Sequence, residues 1–328
     1  MPYEAKVLAH SVSENPAAPP LFTMQLRYPK FLHAEELTHR VLSTSPEIIE
    51  TVSIPDGLMY DRNLSRNASS SRAVPVPRLI EDIRRDLAEP LFWGKNQAGM
   101  QAAEELDPAA KRLAQNIWRS NREACIRDAL DLHALGAHKQ LVNRLVEKHG
   151  YISVVVTATN WSNFFALRRH EGAQPEIRHL ADLIWEAQQA STPKRLGLGE
   201  WHLPYVSDEE LAAIRWVMFH EIPGIVVPLA ELIEAAVPMS RVYEAAIKLS
   251  VARCARVSYL THDGDRPSIF ADLALYDRLV GSIPLHASPA EHQAMPDAQL
   301  RGEWVKRDLH GNLQGWQQYR KMLPNEFV

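Results

Sequence analysis

The sequence lacks the features of a secreted scaffold, a membrane protein or a nucleic-acid-binding protein. Cysteine occurs only twice, at Cys125 and Cys254, which is too few for a disulfide framework. No run of about twenty apolar residues is present, so a membrane-spanning helix is not expected. The formal net charge of −4 gives no general attraction to nucleic acid or to an acidic membrane surface. Residues 1–20 mix charge, serine and proline and lack the apolar stretch of a signal peptide. We therefore expect a cytoplasmic protein with reduced cysteines.

Several common catalytic motifs are also missing. His220-Glu221 is followed by Ile-Pro-Gly, so the two-turn spacing of a zinc protease is absent. Two cysteines and fourteen scattered histidines do not build a structural zinc site. Gly197 and Gly199 lack the strand-loop-helix setting of a dinucleotide fold, and a flexible turn is the simpler interpretation. We expect no metal site.

The residue periodicity predicts a few buried strands among predominant helices. Residues 22–28 alternate apolar and polar side chains, which predicts a half-buried strand. Residues 151–157 form a continuous, largely β-branched run, which predicts a buried strand. The polar stretch 43–71 is rich in serine, asparagine and proline and is interpreted as a long loop or insertion. The predicted fold class is α+β.

The sequence signals for helices are stronger than those for strands. Asp107 before Pro108 predicts a helix start, and this helix should run to Leu135. Ser207 with Glu210 predicts a capping box for a later helix. Helical spacing further predicts helices over residues 31–42, 76–87, 139–148, 176–190, 242–256 and 269–280.

The densest polar cluster is Ser65-Arg66-Asn67-Ala68-Ser69-Ser70-Ser71-Arg72. Hydroxyls and backbone amides between two guanidinium groups suit a phosphate or another anion. Composition alone favours a solvated serine-rich linker instead. The functional interpretation gains weight from three other segments, namely Thr38-His39-Arg40-Val41-Leu42-Ser43, Asn163-Phe164-Phe165-Ala166-Leu167-Arg168 and Ala173-Gln174-Pro175-Glu176-Ile177.

Together these segments resemble the flavin-dependent thymidylate synthases, whose signature is Arg-His-Arg-x-x-Ser-x-Asn-Glu-x-Ser-x-Arg. The residues that match are His39, Arg40 and Ser43 in the first half, and Asn67, Ser70 and Arg72 in the second. Residues 44–65 would then be an insertion that splits the signature, although Ser65 could equally be the motif serine. Thr38 stands where the family has arginine, and Ala68 where it has glutamate.

Two further matches stand in an unusual place. Residues 254–259, Cys-Ala-Arg-Val-Ser-Tyr, resemble the family's Ala-Ala-Arg-Val-Ser-Tyr, and residues 286–292 resemble its His-x-Ser/Thr-Pro-Phe-Glu-His, with Ala290 in place of the phenylalanine. Both precede the signature in the usual order and follow it here. We therefore expect one circularly permuted domain over residues 1–328, built of helices packed on a small sheet. The tail, residues 293–328, has no assigned role beyond packing or subunit contact.

The resemblance implies an enzyme that methylates C5 of a uridine monophosphate, either dUMP or UMP. The cysteine-dependent class of thymidylate synthase is not indicated, because no Pro-Cys pair occurs. By resemblance, reduced FAD supplies the hydride, 5,10-methylenetetrahydrofolate supplies the carbon and NADPH reduces the flavin again. The family also implies a homotetramer with sites between subunits, and neither nucleic acid nor membrane as a partner.

The same resemblance suggests roles for individual residues. Arg168 would stabilise negative charge on the pyrimidine, the alternative being a surface arginine paired with Glu171 or Glu176. Ser70 would take part in catalysis and, together with Arg72, hold the phosphate. Arg144 is a further candidate to help hold it. The flavin would be held by His39, Arg40, Asn67, Asn163, Ser258, His286, Ser288 and Glu291.

Two alternatives stay open at the level of sequence. Loss of the signature glutamate at Ala68 fits a non-catalytic relative that binds flavin or nucleotide. The second alternative is a helical interaction protein whose motif matches are accidental. An insertion in the signature also suggests a changed substrate, since relatives in nucleoside-antibiotic pathways methylate UMP, whose 2′-hydroxyl needs space and a hydrogen-bond partner.

Overall fold

A five-stranded sheet forms the centre of the fold. In the computed structural model of the protein, its strands are β1 (Glu4–Ser13), β2 (Leu21–Pro29), β3 (Ser65–Ala68), β4 (Tyr151–Ala158) and β5 (Lys194–Leu196). The order across the sheet is β3-β4-β2-β1-β5, and every pairing is antiparallel except the parallel pair β1-β5. The residues that the structure describes are 3–33, 65–68, 70–98, 102–220, 237–257, 267–283, 285–324 and 326.

Helices surround this sheet, and the fold class is α+β, as the sequence predicts. The described helices are α1 (Val76–Arg85), α2 (Pro108–Ala134), α3 (Lys139–Val142), α4 (Ser162–Arg168), α5 (Pro175–Gln189), α6 (Asp208–His220), α7 (Met239–Arg256) and α8 (Ile269–Val280). The predicted cap of α2 is confirmed, because the Asp107 carboxylate accepts hydrogen bonds from the amides of Ala109 and Ala110 at 2.9 and 3.0 Å. The capping box before α6 is confirmed by reciprocal bonds between Ser207 and Glu210.

Two predictions of secondary structure differ from the structure, and a third lies mostly outside the described residues. The single helix predicted over residues 139–148 is the short α3 followed by two 3₁₀ turns, Asn143–Leu145 and Glu147–His149. The predicted loop 43–71 contains strand β3, because hydrogen bonding to β4 outweighs the polar composition. Of the helix predicted over residues 31–42, only the part up to residue 33 lies within the described residues, and there Lys30–Leu32 form a 3₁₀ turn.

The sheet has two different faces. Val154 and Val156 of β4 point to one face and pack with Leu180 and Ile184 of α5 in the largest apolar cluster. Val155 points to the other face and packs with Cys254 and Val257 at the end of α7. Alternation of side chains along β4 explains this division. The second face also carries buried hydroxyl groups, described below.

The C-terminal tail packs against the sheet. Strand β6 (Ala294–Pro296) pairs with β9 (Trp316–Gln318), and β7 (Gln299–Leu300) pairs with β8 (Glu303–Trp304). Trp316 is completely buried in a cluster with Leu21, and its indole N–H donates to the Pro19 carbonyl at 2.9 Å. The tail therefore contributes to the core.

Neither a bilayer-crossing helix nor a cluster of metal ligands is found in the part of the chain that the structure describes. Its helices are too short or too polar to cross a bilayer. Nowhere in that part do three or more His, Cys, Asp or Glu side chains come together in a way that could hold a metal ion.

Candidate functional site

Strand β3 brings the serine-rich cluster next to a segment from the opposite half of the chain. Ser65 pairs with Thr157 and Ala68 with Val154 along the edge of the sheet. The 3₁₀ turn Ser288–Glu291 packs against β3, and α7 packs against the same turn. The fold thus places residues 65–68 beside the turn of the residue 286–292 motif.

The Ser288–Glu291 turn combines exposed polar groups with one partly buried carboxylate. Ser288 and His286 are exposed, whereas the side chain of Glu291 is largely buried. Burial raises the pKa of Glu291, and the ion pair with Arg320 opposes that rise. Arg320 comes from the tail and has no signal in the sequence motifs, so sequence reasoning missed it.

The segment that carries Ser70 and Arg72 is hydrogen-bonded to α3 and to the 3₁₀ turn that follows it. Lys139 Nζ donates to the Ala73 carbonyl at 2.9 Å, and Asn143 Nδ2 donates to the Val74 carbonyl at 3.0 Å. Ser70 and Arg72 are exposed. The backbone of this predicted phosphate site is therefore held in place while its polar side chains face solvent.

Arg144 lies in the 3₁₀ turn that packs against the turn Ser71–Ala73. It is exposed and pairs with Glu147 at 2.9 Å, while Glu147 also accepts from Lys30 at 2.6 Å. With Arg72 and Lys139 nearby, cationic groups outnumber the carboxylate in this region. This charge balance suits an anionic ligand.

Asn163 and Arg168 are the second and last residues of α4. The helix begins directly after β4, where the Asn160 side chain accepts from the amide and hydroxyl of Ser162 at 3.1 and 2.7 Å. Arg168 and Asn163 are half-buried. Glu176 is buried and accepts from the Leu91 amide at 2.8 Å, which fastens the residue 91 segment to α5.

The predicted site residues fall into separate groups within one chain. Helix α4 packs on the face of β4 that carries Val154 and Val156, since Phe165 belongs to that cluster. His292, which follows the Ser288–Glu291 turn, bonds to Thr157 on the other face at 2.8 Å. Arg168 and the turn are thus on opposite faces of the sheet. His39, Arg40 and Ser258 lie outside the described residues, and for Asn67 only the backbone is described.

The backbone is strained immediately before Ser258. Val257 has a φ of 60° and Tyr205 a φ of 63°, a region that bulky side chains rarely adopt. The Tyr205 hydroxyl lies within hydrogen-bonding distance of the Val257 carbonyl and 2.8 Å from Oε1 of Gln25. Such strain costs about 1–3 kcal/mol per residue and concentrates at functional sites. This observation supports a role for the residue 254–259 motif.

Cys254 is completely buried within that motif. Burial raises the pKa of its thiol. The thiolate that a nucleophilic cysteine needs is therefore disfavoured at this position.

Comparison with known proteins relates the middle part of the chain to one protein family. The family model described as thymidylate synthase complementing protein matches residues 59–194, and the chain is related to this family over that range. The matched family is the one that the motifs resemble. The matched range contains Asn67, Ser70, Arg72, Arg144, Asn163 and Arg168, whereas the remaining predicted site residues lie outside it.

Two solved structures are similar to this chain. They are the UMP/dUMP methylase PolB from Streptomyces cacaoi bound with 5-Br UMP and the same protein bound with 5-Br dUMP. The first is 14% identical, covers 57% of this chain and 88% of the PolB chain, and has a TM-score of 0.43. The second is 15% identical, covers 57% and 89%, and has a TM-score of 0.39. No curated protein matches the chain.

Proposed function

We propose that this protein methylates C5 of a uridine monophosphate in a flavin-dependent reaction. The observation that carries the proposal is the family match over residues 59–194, within which Ser70 and Arg72 lie on an exposed cationic edge. A circular permutation accounts for the order of the motifs. Its support is the packing of β3 against the Ser288–Glu291 turn, although the two come from opposite halves of the chain.

The nucleotide phosphate binds at the segment that carries Ser70 and Arg72, beside Arg144 of the adjacent 3₁₀ turn. Hydrogen bonds from Lys139 and Asn143 to the Ala73 and Val74 carbonyls hold the backbone of this segment. Arg144 is exposed and can exchange its partner Glu147 for a phosphate, because Glu147 would keep its ion pair with Lys30. The guanidinium of Arg72 offers two parallel donors to phosphate oxygens.

The flavin site is built around the Ser288–Glu291 turn. Exposed Ser288 and His286 supply donors and acceptors there, and Arg320 neutralises Glu291, so the turn does not repel an anionic cofactor. These groups fit FAD, and Asn67, Asn163, His39, Arg40 and Ser258 would complete the set. When bound and reduced by NADPH, the flavin would supply the hydride, with 5,10-methylenetetrahydrofolate as the carbon donor.

Arg168 stabilises the negative charge that develops on the pyrimidine carbonyl oxygens. Arg168 and the Ser288–Glu291 turn lie on opposite faces of one sheet, so a complete site requires residues from more than one chain. A homotetramer with sites between subunits meets this requirement.

The test is a direct assay of C5 chemistry. Purified protein with FAD, NADPH and 5,10-methylenetetrahydrofolate is incubated with UMP or dUMP carrying tritium at C5. We expect tritium release and, from unlabelled nucleotide, a product heavier by one CH2 unit, because a methyl group replaces the C5 hydrogen of at least one nucleotide. A preference for UMP would support a changed substrate, and a preference for dUMP would remove that hypothesis.

A non-catalytic relative is the second candidate, favoured by Ala68 in place of the signature glutamate. In that case the protein is yellow and binds uridylate, but it releases no C5 hydrogen. A colourless protein without affinity for FAD would contradict both candidates and favour an interaction protein.

A further inference from the structure

A continuous chain of buried polar side chains crosses the second face of the sheet. Ser11 Oγ lies 2.8 Å from His202 Nδ1, and His202 Nε2 lies 2.7 Å from Thr23 Oγ1. Thr23 Oγ1 lies 2.7 Å from Thr157 Oγ1, which lies 2.8 Å from His292 Nδ1. All five residues are at most 3% exposed. Strands β1, β2 and β4 each contribute one hydroxyl.

Counting the available hydrogens leaves only two sets of hydrogen-bond directions for these five side chains. Each threonine hydroxyl has one hydrogen and donates once, and a neutral imidazole has one donor and one acceptor nitrogen. If Thr23 donates to Thr157, then His202 carries its hydrogen on Nε2, Thr157 donates to His292 Nδ1, and His292 carries its hydrogen on Nε2. If Thr157 donates to Thr23, both histidines carry their hydrogen on Nδ1. The two imidazoles therefore share one tautomer.

The first arrangement leaves fewer groups unsatisfied. In it Ser11 donates to His202 Nδ1, and the one unmade bond is that of His292 Nε2, which has no partner within the described part of the chain. In the second arrangement Ser11 accepts from His202, so its own hydrogen also has no acceptor among the described residues. An unmade buried hydrogen bond is costly, so the first arrangement is favoured.

Both imidazoles are neutral in the folded protein. Burial, together with the smaller effects of His292 and His10, lowers the pKa of His202 to about 3. Burial likewise lowers the pKa of His292 to about 3. The counting of hydrogens for neutral rings therefore applies over the whole neutral pH range.

We propose that His202 is a positioning residue that, through Thr23 and Thr157, holds His292 as the Nε2–H tautomer and thereby fixes the Ser288–Glu291 turn on the sheet. His292 directly follows this turn, and Thr157 pairs with Ser65 at the start of β3. Replacing His202, Thr23 or Thr157 should allow His292 to populate both neutral tautomers while its imidazole ring stays in place. The role of the turn in binding FAD rests on the proposed function, whereas the shared tautomer does not.

The tautomers can be measured by long-range ¹H–¹⁵N correlation spectra of protein labelled with ¹⁵N-histidine at pH 7. His202→Gln and His292→Gln assign the two rings. We expect both rings to be neutral and protonated at Nε2 in the unaltered protein. Opposite tautomers, a shared Nδ1–H tautomer or an imidazolium at pH 7 would overturn the proposal.

Thr23→Val keeps the shape of the side chain and removes the central hydroxyl. It should convert His292 to a mixture of tautomers, and Thr23→Ser should restore the single form. Thr159→Val is the matched control, because Thr159 is buried but takes no part in this series of hydrogen bonds. It should leave both imidazole rings unchanged. If Thr23→Val leaves the tautomer of His292 unaltered, the proposal is wrong.

The positioning role has its own measurement. FAD titration should show weaker binding by about fivefold in Thr23→Val and recovery in Thr23→Ser, with no change in Thr159→Val. A released tautomer with unchanged FAD affinity would contradict the positioning of the turn. Failure of the unaltered protein to bind FAD would contradict the proposed function instead, and the spectra would still decide the shared tautomer.

Discussion

Arg320 of the C-terminal tail forms an ion pair with Glu291, so a segment without a recognised motif holds the carboxylate that ends the Ser288–Glu291 turn. Arg320 also lies 3.4 Å from Glu326, and Tyr319 shares a hydrogen bond with Tyr276 of α8. The tail thus connects the turn to the helical side of the molecule. An arginine that neutralises a largely buried carboxylate is worth more than a surface pair, because the unpaired charge would remain buried.

Arg320→Gln should therefore lower the free energy of unfolding. Because both partners keep some exposure, we expect a loss of about 1–3 kcal/mol, measured by urea unfolding. Arg307→Gln, at an exposed arginine of the tail, is the control and should change stability little. The double variant Glu291→Gln/Arg320→Gln should recover part of the loss, and equal losses in the single and double variants would contradict this account.

The two buried histidines should make the protein sensitive to acid. Burial lowers the pKa of both His202 and His292 to about 3, whereas an unfolded histidine titrates near its ordinary pKa of 6.5. Below pH 6.5 the unfolded chain binds protons that the folded chain does not, so stability falls as pH falls towards 3. The slope is about 1.4 kcal/mol per pH unit for each histidine.

Urea unfolding at pH 7.5, 6.5, 5.5 and 4.5 measures this slope. The double variant His202→Gln/His292→Gln should show a shallower decrease than the unaltered protein. His133→Gln, at an exposed histidine of α2, should keep the original slope. A decrease of the same steepness in all three proteins would show that other groups cause the acid sensitivity.

Arg72→Ala should weaken the binding of uridine monophosphate. Loss of a guanidinium that contacts phosphate should raise the dissociation constant about tenfold or more. Arg78→Ala is the matched control, because Arg78 pairs with Glu81 and Asp82 on α1. Calorimetric titration with UMP and dUMP measures both, and an affinity untouched by Arg72→Ala would exclude the serine-rich segment as the phosphate site.

Arg168→Ala should act mainly on turnover. Removing a group that stabilises developing charge is expected to lower kcat by about 10²–10³-fold. The neighbouring Arg169, at the end of the same helix, is a suitable control because its partners are structural. It donates to Asp182 at 2.7 Å and lies over the Trp185 ring. Arg169→Ala should lower stability slightly and keep turnover. Unchanged tritium release by Arg168→Ala would refute the role of Arg168.

Local signals explain which parts of the fold were predictable. Asp107 before Pro108 and the spacing of residues 269–280 depend on neighbours within a few residues, and α2 and α8 match the predictions closely. Strand β3 consists of Ser65–Ala68, whose polar composition indicates a loop, and only its pairing with β4 makes it a strand. Strand β1 was missed because the register shift between Val7 and Ala9 interrupts its alternation.

The candidate site divides in the same way. Ser70, Arg72 and Arg168 could be proposed because a motif records residue types at fixed spacing, and the family match covers them. His202 and Arg320 have no such signal, since each acts through a residue distant in the chain, Thr23 and Glu291 respectively.

The sequence by itself determined the fold class, the resemblance to a family and the residue types available for binding an anion. The tertiary structure alone decided that the residue 288–291 turn packs beside β3, and that α4 with Arg168 packs on the opposite face. It also decided that two histidines and three hydroxyls form one buried chain. The physical reason is that motifs and periodicity reflect local backbone preference, whereas these contacts arise from burial and hydrogen bonding between segments far apart in the chain.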